Sequence, residues 1–392
     1  RPDRETERKD TNMNFTLNEN QLAIQSTVKA FAEKELAKDI LVRDAAAEFP
    51  HDLYAKMGEM GLIGLPYPKE YGGQGGDNLS FVIALEEVCR KSAVAGIYMS
   101  NPNSLGSGPL LINGTEEQKR YYIPKLATLE KRMCFALSEP GAGSDAGSII
   151  TRAVRDGDSY VISGTKCFIS GATIADYAVV FAKTDPEQGV RGISAFIVDL
   201  KLPGVILGKP ERKMGLIGYP IGDIVLEDVR VPAENMLGEE NRGFTNAMKT
   251  LDGGRLGVAA TALGVAQGCL DEAVKFAKER KQFGRPIAKF QAISFMLAEM
   301  ATKIAAAREL VYAAAAKKDA GEPDSAVYAS MAKFFTAEAC NEIAGKALQI
   351  HGGYGYVKDY DIERKYRDCR VFTIFEGSSQ VQQMVISRQL LK

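Results

Sequence analysis

At 392 residues the chain is longer than one hydrophobic core of ordinary size serves, so two or three packed units are expected. Its 45% hydrophobic and 25% charged residues are those of a soluble globular protein, and a formal net charge of -1 argues against nucleic acid or an anionic membrane surface as a partner. No apolar run reaches membrane-spanning length and no signal-type h-region is read, which points to the cytoplasm or, in a eukaryote, the mitochondrial matrix.

Residues 1–12 are almost wholly polar and charged and Met13-Asn14-Phe15 reads as a native start, so 1–12 is expected to be a flexible tail or tag. From 13 to 132 the pattern is helical. Val28, Phe31 and Leu36 keep helical spacing, and Thr115-Glu116-Glu117-Gln118 offers a hydroxyl N-cap. From 133 to 236 short β-branched runs take over (Tyr160–Ile162, Tyr177–Phe181, Ile193–Val198, Ile224–Leu226), broken by Gly, Asp and Pro, and a β domain is expected there. From 237 to 392 long helices return. Ile293, Leu297, Met300, Ile304, Ala307 and Val311 form a continuous packing seam, read as bundle core. The fold class is α+β.

The strings with chemical content follow the same order. Leu137-Ser138-Glu139-Pro140-Gly141-Ala142-Gly143-Ser144-Asp145 joins glycines to two hydroxyls, so its backbone can approach a planar or phosphorylated ligand; alone it is also a passable tight loop. It lacks the third glycine of a Rossmann fingerprint. Lys166-Cys167-Phe168-Ile169-Ser170-Gly171 puts an aromatic and a hydroxyl on the β domain, with Phe168 either core or ligand-facing. Leu251-Asp252-Gly253-Gly254-Arg255 sets Asp252 and Arg255 three apart, as an ion pair or as ligand contacts. Arg280-Lys281-Gln282-Phe283-Gly284-Arg285 is either a solvated basic helix end or a set of donors suited to pyrophosphate. Gln349-Ile350-His351-Gly352-Gly353 ends a helix with glycines that either cap it or admit a ligand. Finally, Phe375-Glu376-Gly377-Ser378 sets one carboxylate between an apolar run and a small turn, where desolvation can raise its pKa into the range of a general base. Six scattered cysteines without a C-x-x-C pair suit reduced thiols, and with only two histidines no metal site is expected.

Six strings in this order, Leu137–Asp145, Lys166–Ser170, Leu226–Pro232, Arg280–Arg285, Gln349–Gly353 and Phe375–Gly377, resemble the acyl-CoA dehydrogenase family, and the resemblance runs from Met13 to the C-terminus. The resemblance implies an N-terminal helical domain, a middle β domain and a C-terminal four-helix bundle, with FAD bound non-covalently in a homotetramer that is a dimer of dimers. It implies that Phe135, Leu137, Ser138, Gly143 and Ser144 approach the flavin, Ser144 also meeting CoA, and that Phe168 and Ser170 cover the isoalloxazine. Arg280, Gln282, Phe283, Gln291, Gln349 and Gly353 of a neighbouring subunit would hold the pyrophosphate and adenine, with Ser378 and Gln380 on the adenosine side. Asp252, Arg255, Gly377 and Arg388 would contact CoA. The implied chemistry is dehydrogenation of a short-chain acyl-CoA to the trans-2-enoyl-CoA. Glu376 takes the α-proton, and electrons pass to electron-transferring flavoprotein. Some relatives carry the base at the position that is Gly254 here, which leaves Glu376.

Departures from the family pattern are Phe168 for the usual tryptophan, Phe375 for the common tyrosine, and a Lys213–Pro220 loop without its usual basic residue. Met99, Asn101 and Asn103 lie where relatives bound the acyl tail. The asparagines either satisfy a loop backbone or meet a polar acyl group, and a short pocket of about three to six carbons is expected because unpaired buried amides cost roughly 1–3 kcal/mol each. Two rival readings are an enoyl-CoA reductase running the same chemistry backwards, on polar or aryl acyl groups among others, and a non-catalytic flavoprotein.

Overall fold

The computed structural model describes residues 16–48 and 51–392, so the tail and start expected at 1–15 lie outside the described residues. Helix α1 (Glu19–Phe31) opens on a capping box: Asn18 accepts from the Gln21 N–H, and Gln21 accepts from the Asn18 N–H. Helices α2 (Ile40–Ala46), α3 (His51–Glu59), α4 (Asn78–Lys91), α5 (Ala93–Asn101), α6 (Gly108–Asn113) and α7 (Glu116–Ala127) follow. The α7 capping box is built on Thr115 and Gln118, as the sequence predicts.

The middle of the chain forms a seven-stranded sheet from β1 (Met133–Ala136), β2 (Arg152–Asp156), β3 (Ser159–Ser170), β4 (Tyr177–Lys183), β5 (Ile193–Asp199), β6 (Val205–Leu207) and β7 (Ile221–Pro232). The order is β1-β4-β2-β3-β7-β6, with β5 on β4. The β3–β7 ladder is antiparallel, but its register shifts between Lys166 and Ile169. Such a bulge re-aims a side chain. Here it puts Phe168 at φ 55 with 67% of its surface exposed, so Phe168 is not core.

Three long helices return the chain to a bundle: α8 (Gly243–Glu279), α9 (Gln291–Asp319) and α10 (Ser325–His351), followed by α11 (Asp361–Cys369) and α12 (Ser379–Leu390). The tip between α8 and α9 carries a two-stranded ribbon, β8 (Lys281–Gln282) with β9 (Arg285–Pro286). On α9 the seam residues Met300, Ile304, Ala307 and Val311 are buried, while Ile293 and Leu297 pack at its edge. Helix α4 crosses α8 at backbone contact: a Cβ on Gly264 would lie 2.3 Å from the Glu86 carbonyl oxygen. All six cysteines are free and buried.

Candidate active site

The turn entering α12 carries two consecutive left-handed residues, Glu376 (φ 50) and Gly377 (φ 86). Positive φ is strained for a side-chain-bearing residue and persists only where surroundings over-determine it. The surroundings here are two buried donors. Lys333 Nζ on α10 donates to the Gly377 carbonyl at 2.7 Å, and Gln382 Nε2 on α12 donates to the carbonyls of Gly377 (2.8 Å) and Glu376 (3.2 Å). The turn aims the Glu376 side chain at α8. Its Oε2 is shut off from solvent and has no hydrogen-bond partner, although the residue as a whole is only partly buried. Gly254 gives it room, since a Cβ there would lie 2.2 Å from Oε2.

Burial pushes the Glu376 carboxyl up to about 7, against the opposing pull of Lys333 and Arg255. Arg255 is itself held by Asp252, with Nη1 donating to Oδ1 at 2.6 Å. The pair is therefore intrahelical, and it also faces the carboxylate: Arg255 is buried, whereas Asp252 is part-exposed. Burial raises the Asp252 carboxyl as well. Thus α8 brings Asp252, Gly254 and Arg255 to Glu376 and Gly377. Arg388 is exposed in the last turn of α12.

The first two motif strings are joined by a buried ion pair. Lys166 Nζ donates to Glu139 Oε1 at 2.7 Å and to the Leu137 carbonyl at 3.1 Å. Glu139 also accepts from Ile150 N–H (2.6 Å) and from the Thr151 N–H (3.1 Å) and hydroxyl (2.5 Å). Cys167 N–H reaches the Ser138 carbonyl at 3.0 Å, which sets Ser138 beside the bulge that carries Phe168. Leu137 turns its side chain into the core, so only its backbone can meet a ligand. Phe135 packs on Phe181, with ring centroids 4.9 Å apart. Gly143 and Ser144 are exposed, and Ser170 lines a small cavity with Asn101 and Tyr219.

Arg280, Gln282, Phe283, Gln291, Gln349 and Gly353 lie at one end of the bundle, where α8 ends, α9 begins and α10 ends. Arg280 closes α8 and lies over the Tyr354 ring at 5.1 Å. Gln282, Gln291, Gln349 and Gly353 are exposed, and Phe283 is 92% exposed at the ribbon tip. Gly352 does cap α10, with φ 59. Ser378 and Gln380 border a concavity of about 490 Å³ together with Glu338, Asn341 and Arg370, a volume in the range of cofactor sites.

Family models for the acyl-CoA dehydrogenase N-terminal, middle and C-terminal domains match residues 18–130, 134–229 and 241–391. The chain belongs to the acyl-CoA dehydrogenase family. It is 59% identical to the CarC subunit of a caffeyl-CoA reductase–Etf complex of Acetobacterium woodii, covering 94% of this chain and 97% of that protein. It is 56% identical to a 3-(aryl)acrylate reductase of Clostridium sporogenes (94% and 98% covered). Butyryl-CoA dehydrogenase of Megasphaera elsdenii superposes with a TM-score of 0.94 at 42% identity, covering 97% of this chain and all of that one.

Acyl-CoA dehydrogenases are FAD-dependent oxidoreductases acting on CH–CH groups, and the residues present here fit that cofactor. A Cβ on Gly141 or Gly143 would meet nothing within 4 Å, which leaves the loop open to a close ligand. Phe168 offers a solvent-facing ring beside it.

Two of the acyl-tail expectations divide. Asn103 serves the loop backbone: its Nδ2 donates to the Leu62 carbonyl and its Oδ1 accepts from Gly64 N–H, both at 2.7 Å. Asn101 donates to the Tyr219 hydroxyl at 2.6 Å and leaves its buried Oδ1 without a partner. Met99 is fully buried in the core. Sequence reading missed Lys333 and Gln382. The signal for Lys333 was a lysine in phase with the apolar stripe Ala329, Ala337 and Cys340, because a lysine is almost never fully buried without a task.

Proposed function

We propose that the protein interconverts an α,β-unsaturated and a saturated acyl-CoA at Glu376, working as an enoyl-CoA reductase on short or aryl-bearing acyl groups. The observation that carries this reading is the unpartnered, desolvated Glu376 oxygen packed against Gly254, with the Asp252–Arg255 pair beside it. Desolvation keeps the carboxyl near half-ionised at neutral pH, so it can give a proton to the substrate α-carbon in reduction and take one in dehydrogenation. FAD, when bound, would accept the hydride from the β-carbon in its oxidised form and, once reduced by its electron donor, would supply it. Phe135, Ser138, Gly143, Ser144, Phe168 and Ser170 are assigned to the flavin, and Asp252, Arg255 and Gly377 to CoA. A non-catalytic role is disfavoured, since it gives no reason to bury an unpaired carboxylate.

Direction is a matter of redox poise, because a catalyst lowers both barriers equally. The two reductases acting on caffeyl-CoA and aryl acrylates support the reductive sense, and the Etf complex of the first supports electron-transferring flavoprotein as donor. A homotetramer accompanies this reading. The bare Phe283 tip is suited to a neighbouring copy, where Arg280, Gln282, Gln291, Gln349 and Gly353 would reach its FAD. No helix among the described residues is long and apolar enough to cross a membrane, and a bacterial cytoplasmic location is proposed.

The unpaired Asn101 oxygen favours an acyl group carrying a donor. Specificity constants should therefore peak at short or hydroxyaryl substrates, measured in both directions with butyryl-, hexanoyl-, octanoyl-, palmitoyl-, cinnamoyl- and hydroxycinnamoyl-type CoA esters and a dye. A discrimination of about tenfold or more over octanoyl is expected, in line with the roughly 1–3 kcal/mol of an unmet buried acceptor. A maximum at octanoyl or longer chains would rule out the short-pocket reading.

A further inference from the structure

Lys333 stands outside the machinery assigned so far. Its side chain is fully buried on α10, and its ammonium is committed to a backbone carbonyl rather than to a carboxylate, the 2.7 Å bond to Gly377. The charged groups facing it come from three elements: Glu376 on the turn before α12, Arg255 on α8, and Glu338 on α10 itself. Two of these are already engaged, Arg255 by Asp252 and Glu338 by the Ser379 hydroxyl. Glu376 faces Lys333 with a buried carboxylate oxygen that has no hydrogen-bond partner.

We propose that Lys333 is a positioning residue for the base: a buried cation that grips the Gly377 carbonyl, holds the left-handed Glu376–Gly377 turn, and faces the Glu376 carboxylate without pairing to it. The proposal rests on the reading of Glu376 as the base. The separation matters chemically. A direct ion pair would hold the carboxylate ionised and leave it a poor base and no acid at all, whereas a cation one step back limits how far burial suppresses ionisation. Gln382 shares the grip on the turn but carries no charge, so the two functions of Lys333 can be separated by substitution.

The test compares Lys333→Gln, Lys333→Met and Lys333→Arg with Glu376→Gln, all FAD-loaded, using butyryl-CoA oxidation by a dye. Oxidation needs the ionised carboxylate, so kcat/KM rises with pH through the Glu376 pKa. Loss of the cation raises that pKa, and the rising limb should move to higher pH by about one unit in the Gln and Met variants. Turnover should fall about tenfold, with KM moving less than kcat, and Lys333→Arg should keep the limb near its original place. Two neutral variants are included because either one that folds and holds FAD decides the matter. Infrared titration of the Glu376 carboxyl, assigned by its loss in Glu376→Gln, reads the same shift without turnover. An unmoved limb and infrared titration in the neutral variants, with Glu376→Gln inactive, overturns the proposal and spares the base. An active Glu376→Gln removes the base and the proposal together.

Discussion

Glu376→Gln is expected to keep FAD and to bind CoA esters, yet to lose turnover by about 10²–10⁴-fold, the range typical of a missing general acid–base. Glutamine matches the volume that Gly254 leaves for the side chain, so packing is preserved and the loss reports proton transfer. No second acid stands ready on α8, where the facing residue is glycine and the nearest carboxylate, Asp252, is tied to Arg255. The measurement is flavin bleaching by a saturated acyl-CoA in single turnover, with flavin content checked. Bleaching at the unsubstituted rate would remove Glu376 from the mechanism.

Lys166→Met should produce the largest loss of stability. Burial pushes the Lys166 ammonium down to about 8, with Glu139 opposing. Burial also disfavours the Glu139 carboxylate, but Lys166 and the donors of Ile150 and Thr151 outweigh this and hold it below its ordinary value. Both partners therefore stay charged at neutral pH, and removing one strands the other. Breaking such a pair costs about 3–5 kcal/mol, whereas replacing both partners with apolar residues is often near neutral. Urea unfolding of Lys166→Met should show that loss, and Lys166→Met/Glu139→Leu should recover part of it. The single variant should also retain less FAD, because the same pair anchors the loop from Leu137 to Thr151. Wild-type stability in Lys166→Met would show that the pair is dispensable.

Local signals carried much of the molecule into the sequence. The Thr115 cap, the α9 seam and the β-branched runs that became β3, β4, β5 and β7 each depend on neighbours within one or two turns or along one strand. The short strands β1, β2 and β6 left weaker signals, since their existence depends on partners far along the chain. Glu376 was legible because its flanks announce a desolvated turn. Its environment was legible only in part: Gly254 entered through the family resemblance, whereas Lys333 and Gln382 converge on the turn from α10 and α12, and nothing in their spacing reports that meeting. The same limit separated the two asparagines, where only tertiary contacts show that Asn103 serves a loop and Asn101 does not. Phe168 depended on a bulge in β3, a register event that composition does not encode.

The central claim is that one buried carboxyl, Glu376, serves as base in one direction and acid in the other, with its pKa raised to about 7 by burial. It is tested most directly by the pH dependence of kcat/KM, which reports the free enzyme, measured for both directions on the same FAD-loaded protein. Dehydrogenation requires the ionised form, so its rate should rise from about pH 5 and level off above the pKa; reduction requires the protonated form, so its rate should be highest at low pH and fall through the same value. The two limbs should mirror each other near neutrality. Profiles that are flat across this range, or limbs at the ordinary glutamate value in both directions, would contradict the account.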